Sequence, residues 1–148
     1  MIEWRAYISD TNGRFTMKTL VIEWRHLDVE GETCERCSQT GASLVEETRL
    51  LNRKLNSLGY QVKLMETKLD EAKIQESNLI LLNGVPIEKI IKIRVVDNYC
   101  KSCSDLVGSE TYCRAVYYKG RKYEDVPRIA IREAVAKSLG LKVRKRKG

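Results

Sequence analysis

The sequence predicts an α/β domain in which a small mixed sheet is flanked by helices. Strand-like and helix-like segments follow one another in the order β-α-β-α-β-β, then a cysteine-bearing insert, then β-β-α. The chain has 148 residues, enough for one domain with its own apolar core. A Cys-x-x-Cys pair, Cys34 and Cys37, stands between the first strand and the first helix. These observations predict a domain over 17–140, an N-terminal extension at 1–16 and a basic tail at 141–148.

The first strand, helix and strand are predicted from the spacing of apolar residues. Alternating apolar residues indicate a strand over about 19–25, and the loop that follows, 26–37, carries the cysteine pair. Leucines at helical spacing predict a helix over about 39–58, and Gly59 is positioned to end it. A second alternating segment predicts a strand over about 60–66.

Capping and turn residues define the middle of the chain. Asp70 is positioned to cap a short helix that runs through Gln75. The apolar run 79–82 has the character of a buried strand. The Asn-Gly pair at 83–84 is a strong hairpin signal, so the chain is expected to return through 85–87.

The last part of the chain is predicted to contain an insert, a hairpin and a helix. The segment 97–113 is polar and holds three cysteines, and we expect it to be irregular. A second hairpin is predicted over 114–124 with its turn at Gly120. Pro127 favours the start of a final helix, which Gly140 closes.

The net charge of +7 is concentrated at the C-terminus. The segment 142–147 holds five lysines and arginines and no acid, which leaves +2 for the rest of the chain. That remainder is ordinary for a soluble domain, and we expect a solvated tail. The basic and aromatic residues at 117–123 alternate as in an ordinary hairpin, so no nucleic-acid partner is expected.

Other features exclude several classes of protein. No apolar run approaches the roughly 20 residues of a membrane span, and the N-terminus lacks the layout of a secretory signal. We therefore expect a cytoplasmic protein without a membrane partner, in a compartment where lasting structural disulfides are uncommon. The sequence has neither a Gly-rich phosphate loop nor a Ser/His/Asp set, and its single histidine argues against His-based zinc hydrolysis.

Cys34 and Cys37 are predicted to form a dithiol redox pair. A strand, Cys-x-x-Cys and a helix place both thiols at a helix N-terminus, where unpaired N–H groups and the helix dipole stabilise a thiolate. Cys34 is then the nucleophile and Cys37 resolves the mixed disulfide, with a partner protein as the expected redox partner. Arg36 favours the thiolate, whereas Glu32 and Glu35 oppose it. The alternative is that the pair forms half of a zinc knuckle.

Two further residues are candidates for proton transfer at this pair. His26, at the end of the first strand, could relay a proton, although a lone histidine is more often a surface or hydrogen-bonded residue. Glu23 interrupts an otherwise apolar strand. A buried Glu23 could accept a proton from Cys37, whereas on an edge strand it would be solvated.

Cys100, Cys103 and Cys113 form a second cysteine cluster with the spacing C-x2-C-x9-C. This spacing suits a metal clip for zinc or another soft metal, including arsenic(III). Three thiolates do not close a tetrahedral site, so Cys34 or Cys37, water or a small thiol would have to complete it. An iron–sulfur cluster is less favoured because it usually needs four thiolates. Two alternatives remain, namely a relay that passes a disulfide from the first pair to Cys100 and Cys103, and buried thiols without function.

Several separated motifs occur together in this chain: Ile22 to Asp28, Gly31 to Cys37, Glu76-Ser77-Asn78, Leu82-Asn83-Gly84, Cys100-x-x-Cys103, Cys113-Arg114 and Tyr123 to Pro127. In this order they resemble a family of small, uncharacterised thioredoxin-like proteins of archaea and bacteria, catalogued as a domain of unknown function. The resemblance covers about 17–138. It implies a thioredoxin-like three-layer sandwich with a central mixed sheet and a cysteine-bearing insert, and it carries no assigned activity. Thioredoxins proper have Trp before the first cysteine and Gly-Pro between the two, where this chain has Thr33 and Glu35-Arg36.

The sequence therefore supports two hypotheses. The first is a thioredoxin-like thiol–disulfide oxidoreductase or redox relay that uses Cys34 and Cys37. The alternative is a protein that binds zinc or a similar soft metal through Cys100, Cys103 and Cys113 without catalysis.

Overall fold

A computed structural model describes residues 17–29, 31–32, 35–99, 101–108 and 112–141, with the backbone alone at 35–36, 75, 98, 101–103 and 112–114. The strands and helices in chain order are β1 (Lys18–Leu27), α1 (Glu35–Leu55), β2 (Tyr60–Leu69), β3 (Leu79–Leu82), β4 (Val85–Pro86), β5 (Arg94–Tyr99), α2 (Lys101–Val107), β6 (Tyr112–Tyr118), β7 (Arg121–Tyr123) and α3 (Arg128–Ser138). Short 3₁₀ helices cover Asn56–Leu58, Glu71–Glu76 and Ile87–Lys89.

The first sheet is mixed and has the strand order β2-β1-β3-β4. β1 lies in the interior of the sheet and runs parallel to β2, with Lys18 opposite Tyr60 at the start of the register. β3 runs antiparallel to β1, with Ile22 opposite Leu82, and β4 pairs with β3 as a hairpin. The predicted mixed α/β architecture is confirmed.

The second sheet is antiparallel and has the order β5-β6-β7. The expectation of an irregular stretch over 97–113 was wrong, because β5 and α2 lie there and β6 begins at Tyr112. Val95 and Val116 are paired in this sheet and face Ile80 of β3 across a small cavity. The second sheet therefore contributes to the same core as the first.

The core lies between β1, β3 and the two longer helices. Leu20, Ile22 and Trp24 alternate along β1 and are buried, as expected for one face of a strand. Gly41 of α1 lies directly against the Trp24 indole, because a methyl group there would stand 2.6 Å from a ring carbon. α1 therefore packs closely on this face of the sheet. All four residues of β3 are buried, so this strand is covered on both faces.

Helices α1 and α3 are joined by a buried carboxylate. Glu47 is 1% exposed and accepts a hydrogen bond from Arg128 Nε at 2.8 Å. It also accepts hydrogen bonds from Arg132, and this bond raises the pKa of the Arg132 guanidinium. A buried charge is tolerated when it is paired and hydrogen-bonded in this way.

Element boundaries agree with the sequence at the turns and differ at the start of α1. Asp70 caps the 3₁₀ helix by accepting from Ala72 N–H at 3.1 Å, as predicted. The Asn-Gly hairpin at 83–84 is also confirmed, and both residues have positive φ angles. α1 begins at Glu35, four residues before the predicted start, so Cys37 belongs to the helix. In the described part of the chain, no helix has the length and apolar character needed to cross a bilayer.

Candidate functional site

Cys37 lies in the first turn of α1, because the helix begins two residues earlier at Glu35. Its side chain is only 2% exposed. The N-terminal turn of a helix favours an anion, so this position suits a thiolate. Cys34 precedes the helix in the sequence and lies outside the described residues. Its predicted role as nucleophile stays a prediction.

Ser77 is a polar neighbour of the Cys37 sulfur. The distance from Cys37 Sγ to Ser77 Oγ is 3.5 Å, and Ser77 is completely buried. Ser77 Oγ also accepts a hydrogen bond from Leu27 N–H of β1 at 3.1 Å. A side chain 40 residues away in sequence therefore joins the thiol of α1 to the central strand.

Asn78 fixes the backbone beside Ser77. Its φ angle is +68°, which is unusual for a residue other than glycine. Its N–H donates to Arg25 O at 2.7 Å, and its side-chain oxygen accepts from Trp24 Nε1 at 3.1 Å. Its side-chain amide donates to Asp125 Oδ1 at 3.2 Å. These bonds hold the short connection before β3 against β1.

Asp125 extends the network to the first helix. The same Oδ1 atom accepts a hydrogen bond from Thr40 Oγ1 at 2.6 Å. Thr40 lies one helical turn after Cys37 and is 3% exposed. The network therefore connects β1, α1, the segment before β3 and the segment before α3 around the buried thiol.

His26 lies within β1 and is 2% exposed, so the expectation that it belongs to a loop was wrong. Its ring stacks on Trp24 with the ring centroids 4.0 Å apart. Nε2 lies 2.6 Å from Glu66 Oε1, and Nδ1 lies 3.1 Å from Leu27 O. Both neighbours are hydrogen-bond acceptors, and the tautomer of the ring decides which nitrogen donates. A proton relay through His26 stays a prediction.

Glu23 has neither of the two roles considered for it. It lies on the central strand β1, on the face opposite Trp24 and α1. Its carboxylate accepts from Arg25 Nε at 2.7 Å and from Thr67 Oγ1 at 2.9 Å. The hydrogen bond from Arg25 lowers the pKa of Glu23, and that from Thr67 adds to the effect against the opposing influence of burial. Glu23 is therefore an ion-paired residue of the far face and is not aimed at Cys37.

The second cysteine cluster is described only in its backbone. Cys103 lies in α2, and Cys113 lies in β6 opposite Asn98 of β5. Cys100 lies outside the described residues, as do the side chains of Cys103 and Cys113. Among the described side chains, no group of three or more histidines, cysteines or carboxylates is arranged to hold a metal ion. The metal prediction therefore stays a prediction.

The structure brings together residues to which sequence reasoning assigned no role. Ser77, Asn78 and Asp125 belong to the separated motifs of the chain, and all three meet near Cys37. Thr40 was not singled out at all. Each of these residues is polar and stands next to apolar strands or helices in the sequence. Because a buried polar side chain needs a hydrogen-bond partner, this pattern could have marked them as members of a buried network.

Comparison with known proteins places the chain in a family without an assigned activity. A protein of Archaeoglobus fulgidus, described as an uncharacterized protein, is 36% identical over 101 residues, which cover 66% of this chain and 71% of that protein. No solved structure matches the chain. The family model described as Domain of unknown function (DUF2703) matches residues 20–135, more than half of the chain. The chain therefore belongs to the DUF2703 family of unknown function.

Proposed function

We propose that this protein carries out thiol–disulfide exchange through Cys34 and Cys37. The Cys34 thiolate attacks one sulfur of a substrate disulfide and releases the other sulfur as a thiol after it takes up a proton. The Cys37 thiolate then attacks Cys34 Sγ, which forms the Cys34–Cys37 disulfide and releases the second substrate thiol. Two electrons pass from the dithiol to the substrate, and a redox partner protein restores the dithiol.

The observation that carries this proposal is the position of Cys37. It is a buried cysteine in the first turn of α1, three residues after another cysteine in the sequence. Its sulfur lies 3.5 Å from the hydroxyl of Ser77, and a hydrogen-bond network orders the segments around it. A buried second thiol at a helix start is suited to resolving a mixed disulfide formed by the first.

The strand order supports a thioredoxin-like organisation for this site. β1, α1 and β2 form a unit with parallel strands, followed by the antiparallel hairpin β3–β4 and the final helix α3. The cysteine pair belongs to the connection and first turn between β1 and α1. We propose that this order belongs to a thioredoxin-like fold and is the basis of the activity.

Trapping of mixed disulfides tests the proposal. The Cys37→Ser variant lacks the resolving thiol, so it should accumulate a covalent complex with a disulfide-bonded substrate such as insulin. The Cys34→Ser variant should form none, and wild-type protein should reduce the substrate without accumulating the complex. Equal complex formation by Cys34→Ser and Cys37→Ser, or undiminished reductase activity of Cys34→Ser, would contradict the proposal.

A second candidate function is the binding of a soft metal by Cys100, Cys103 and Cys113. Its support is the register of the second sheet, in which Tyr99 lies opposite Tyr112. The end of β5 and the start of β6, which carries Cys113, therefore lie side by side, and Cys100 follows Tyr99 in the sequence. About one zinc per chain after anaerobic purification, lost in Cys103→Ser, would support metal binding. Metal-free protein with three reactive thiols in this segment would exclude it.

A further inference from the structure

We propose that Ser77 is a positioning residue for Cys37, whose hydroxyl stabilises the reduced form of the Cys34/Cys37 pair. This inference rests on the proposed thiol–disulfide exchange and adds to it the residue that sets the redox equilibrium. Neither the cysteine spacing nor the helix start assigns such a role, because Ser77 reaches the site from the segment before β3.

In the thiolate state of Cys37, the direction of its hydrogen bond with Ser77 follows from the chemistry of the two groups. Leu27 N–H donates to Ser77 Oγ at 3.1 Å, so one lone pair of this oxygen is occupied. The hydroxyl hydrogen remains to be donated, and Cys37 Sγ lies 3.5 Å from Oγ. A thiolate has only acceptor capacity, so in that state the hydroxyl is the donor.

The hydroxyl is held in place from both sides. Ser77 N–H donates to Ile74 O at 2.9 Å, which fixes Ser77 to the end of the 3₁₀ helix. On the other side, Asn78 is fixed by its bonds to Arg25 O, Trp24 Nε1 and Asp125 Oδ1. Because the backbone is restrained on both sides of Ser77, its Oγ is presented to the sulfur without further ordering.

The consequence is a bias of the redox equilibrium toward the dithiol. In the resolving step the Cys37 thiolate forms a bond to Cys34 Sγ and loses its negative charge. A disulfide sulfur is a weaker acceptor than a thiolate, so the hydrogen bond from Ser77 is weaker after the step than before it. Loss of a hydrogen bond to a charged group corresponds to an equilibrium change of about tenfold.

The experiment compares full-length wild type, Ser77→Ala and Ser77→Thr in glutathione redox buffers under anaerobic conditions. Acid quenching, alkylation and mass spectrometry report the fraction of chains with a Cys34–Cys37 disulfide. We expect Ser77→Ala to shift the equilibrium about tenfold toward the disulfide, which corresponds to a reduction potential about 30 mV lower. Ser77→Thr keeps the hydroxyl and should remain close to wild type. Thr67→Ala removes a hydroxyl on the far face of the sheet and serves as the matched control.

The stability of the oxidised and reduced forms of Ser77→Ala distinguishes a general structural effect from an effect on the Cys37 sulfur. The substitution also removes the acceptor of Leu27 N–H, which would lower the stability of the oxidised and reduced forms equally. A role at the sulfur lowers the stability of the reduced form more. Urea unfolding of both forms therefore distinguishes the two effects.

Two outcomes would overturn the inference in different ways. An unchanged glutathione equilibrium in Ser77→Ala, with a normal disulfide in wild type, removes the role of Ser77 and leaves the exchange activity standing. Absence of a Cys34–Cys37 disulfide in wild type at every glutathione ratio overturns both the exchange activity and the role of Ser77.

Discussion

The contact between Gly41 and Trp24 predicts how Gly41→Ala changes the free energy of unfolding. Two opposing effects, helix propensity and steric overlap, decide whether the variant is more or less stable. Replacing Gly41 by alanine in a helix interior should stabilise α1 by up to about 1 kcal/mol through helix propensity. The added methyl group, however, would lie 2.6 Å from Cη2 and 2.7 Å from Cζ3 of Trp24. Carbon atoms in favourable contact are about 3.5–4.0 Å apart, so the overlap approaches 1 Å.

Trp24 has little freedom to move away from that methyl group. Its side chain is 6% exposed, stacks on His26 and donates its Nε1 hydrogen to Asn78. Overpacking of a core costs about 1–3 kcal/mol, and the fixed indole places this case near the upper value. Subtracting the gain in propensity leaves a net loss of about 2 kcal/mol. For a chain of this size, that loss corresponds to a fall in Tm of about 4–8 °C.

Urea unfolding followed by circular dichroism measures this loss as a change in midpoint at constant slope. Ala42→Gly is the matched control, because Ala42 is the next residue of α1 and is exposed. It should lose about 1 kcal/mol from propensity alone. A Gly41→Ala midpoint equal to or above that of wild type would refute the close packing of α1 on Trp24.

Three further predictions concern charged and titratable groups. Replacing both Arg128 and Arg132 by alanine removes the two ion-pair partners of the buried Glu47 carboxylate. The free energy of unfolding in urea should fall by about 3–5 kcal/mol. Glu47→Leu should cost less, because the two arginines are 40% and 36% exposed and keep water contacts. The lowered pKa of Glu23 contributes stability above about pH 4.3 that is lost as pH falls through its folded value. The stability difference between wild type and Glu23→Gln should therefore shrink between pH 6 and pH 2, and a constant difference would contradict the ion pair. Burial raises the pKa of Tyr118, so its contribution is complete below about pH 10 and is lost as pH rises further. Wild type should accordingly lose more stability than Tyr118→Phe between about pH 9 and pH 12 in unfolding measurements.

Local sequence signals predicted the first sheet well. Three features follow from local sequence alone, namely the alternation along β1, the apolar run of β3 and the Asn-Gly turn. All three are present in the structure. Cys37 was also predicted at a helix start, although α1 begins earlier than its leucine pattern indicated. Helix N-termini depend on the first few residues, which carry no apolar periodicity here.

In the second sheet the predicted hairpin is confirmed as β6 and β7. Strand β5 was missed because it and the connection after it are polar. In β5, Asp97 and Asn98 follow the apolar pair Val95–Val96, and the pattern resembled a loop. The strand is defined by its partner, since Val95 lies opposite Val116 in the register with β6. Such pairing depends on tertiary context more than on intrinsic preference.

The network around Cys37 could not be predicted from spacing. The side chains of Ser77 and Asp125 are separated by 40 residues or more from the side chains that they contact in this network. Only the fold brings them together, by placing the segments before β3 and before α3 beside the start of α1. A sequence pattern can indicate a polar residue among apolar ones. It does not identify the hydrogen-bond partner that a buried polar side chain needs.

The network also has a consequence for how the site would respond to substitution. Trp24 packs against Gly41, donates to Asn78 and stacks on His26, so it links the helix that carries Cys37 with the segment that carries Ser77. A substitution that displaces the indole is expected to alter the redox equilibrium as well as the stability. Measuring both in Gly41→Ala tests whether the two are coupled.

The most direct test of the proposed exchange follows the five thiols in anaerobically purified protein that is mixed with excess disulfide substrate. Alkylation and peptide mapping before and after the reaction, together with metal content before and after a chelator, show which sulfurs have reacted. The account predicts the loss of two thiols per chain and a disulfide that maps to Cys34 and Cys37, with the other three cysteines not required. If these two thiols stay reduced in the presence of substrate, or are masked until a chelator removes a metal, the exchange proposal is contradicted.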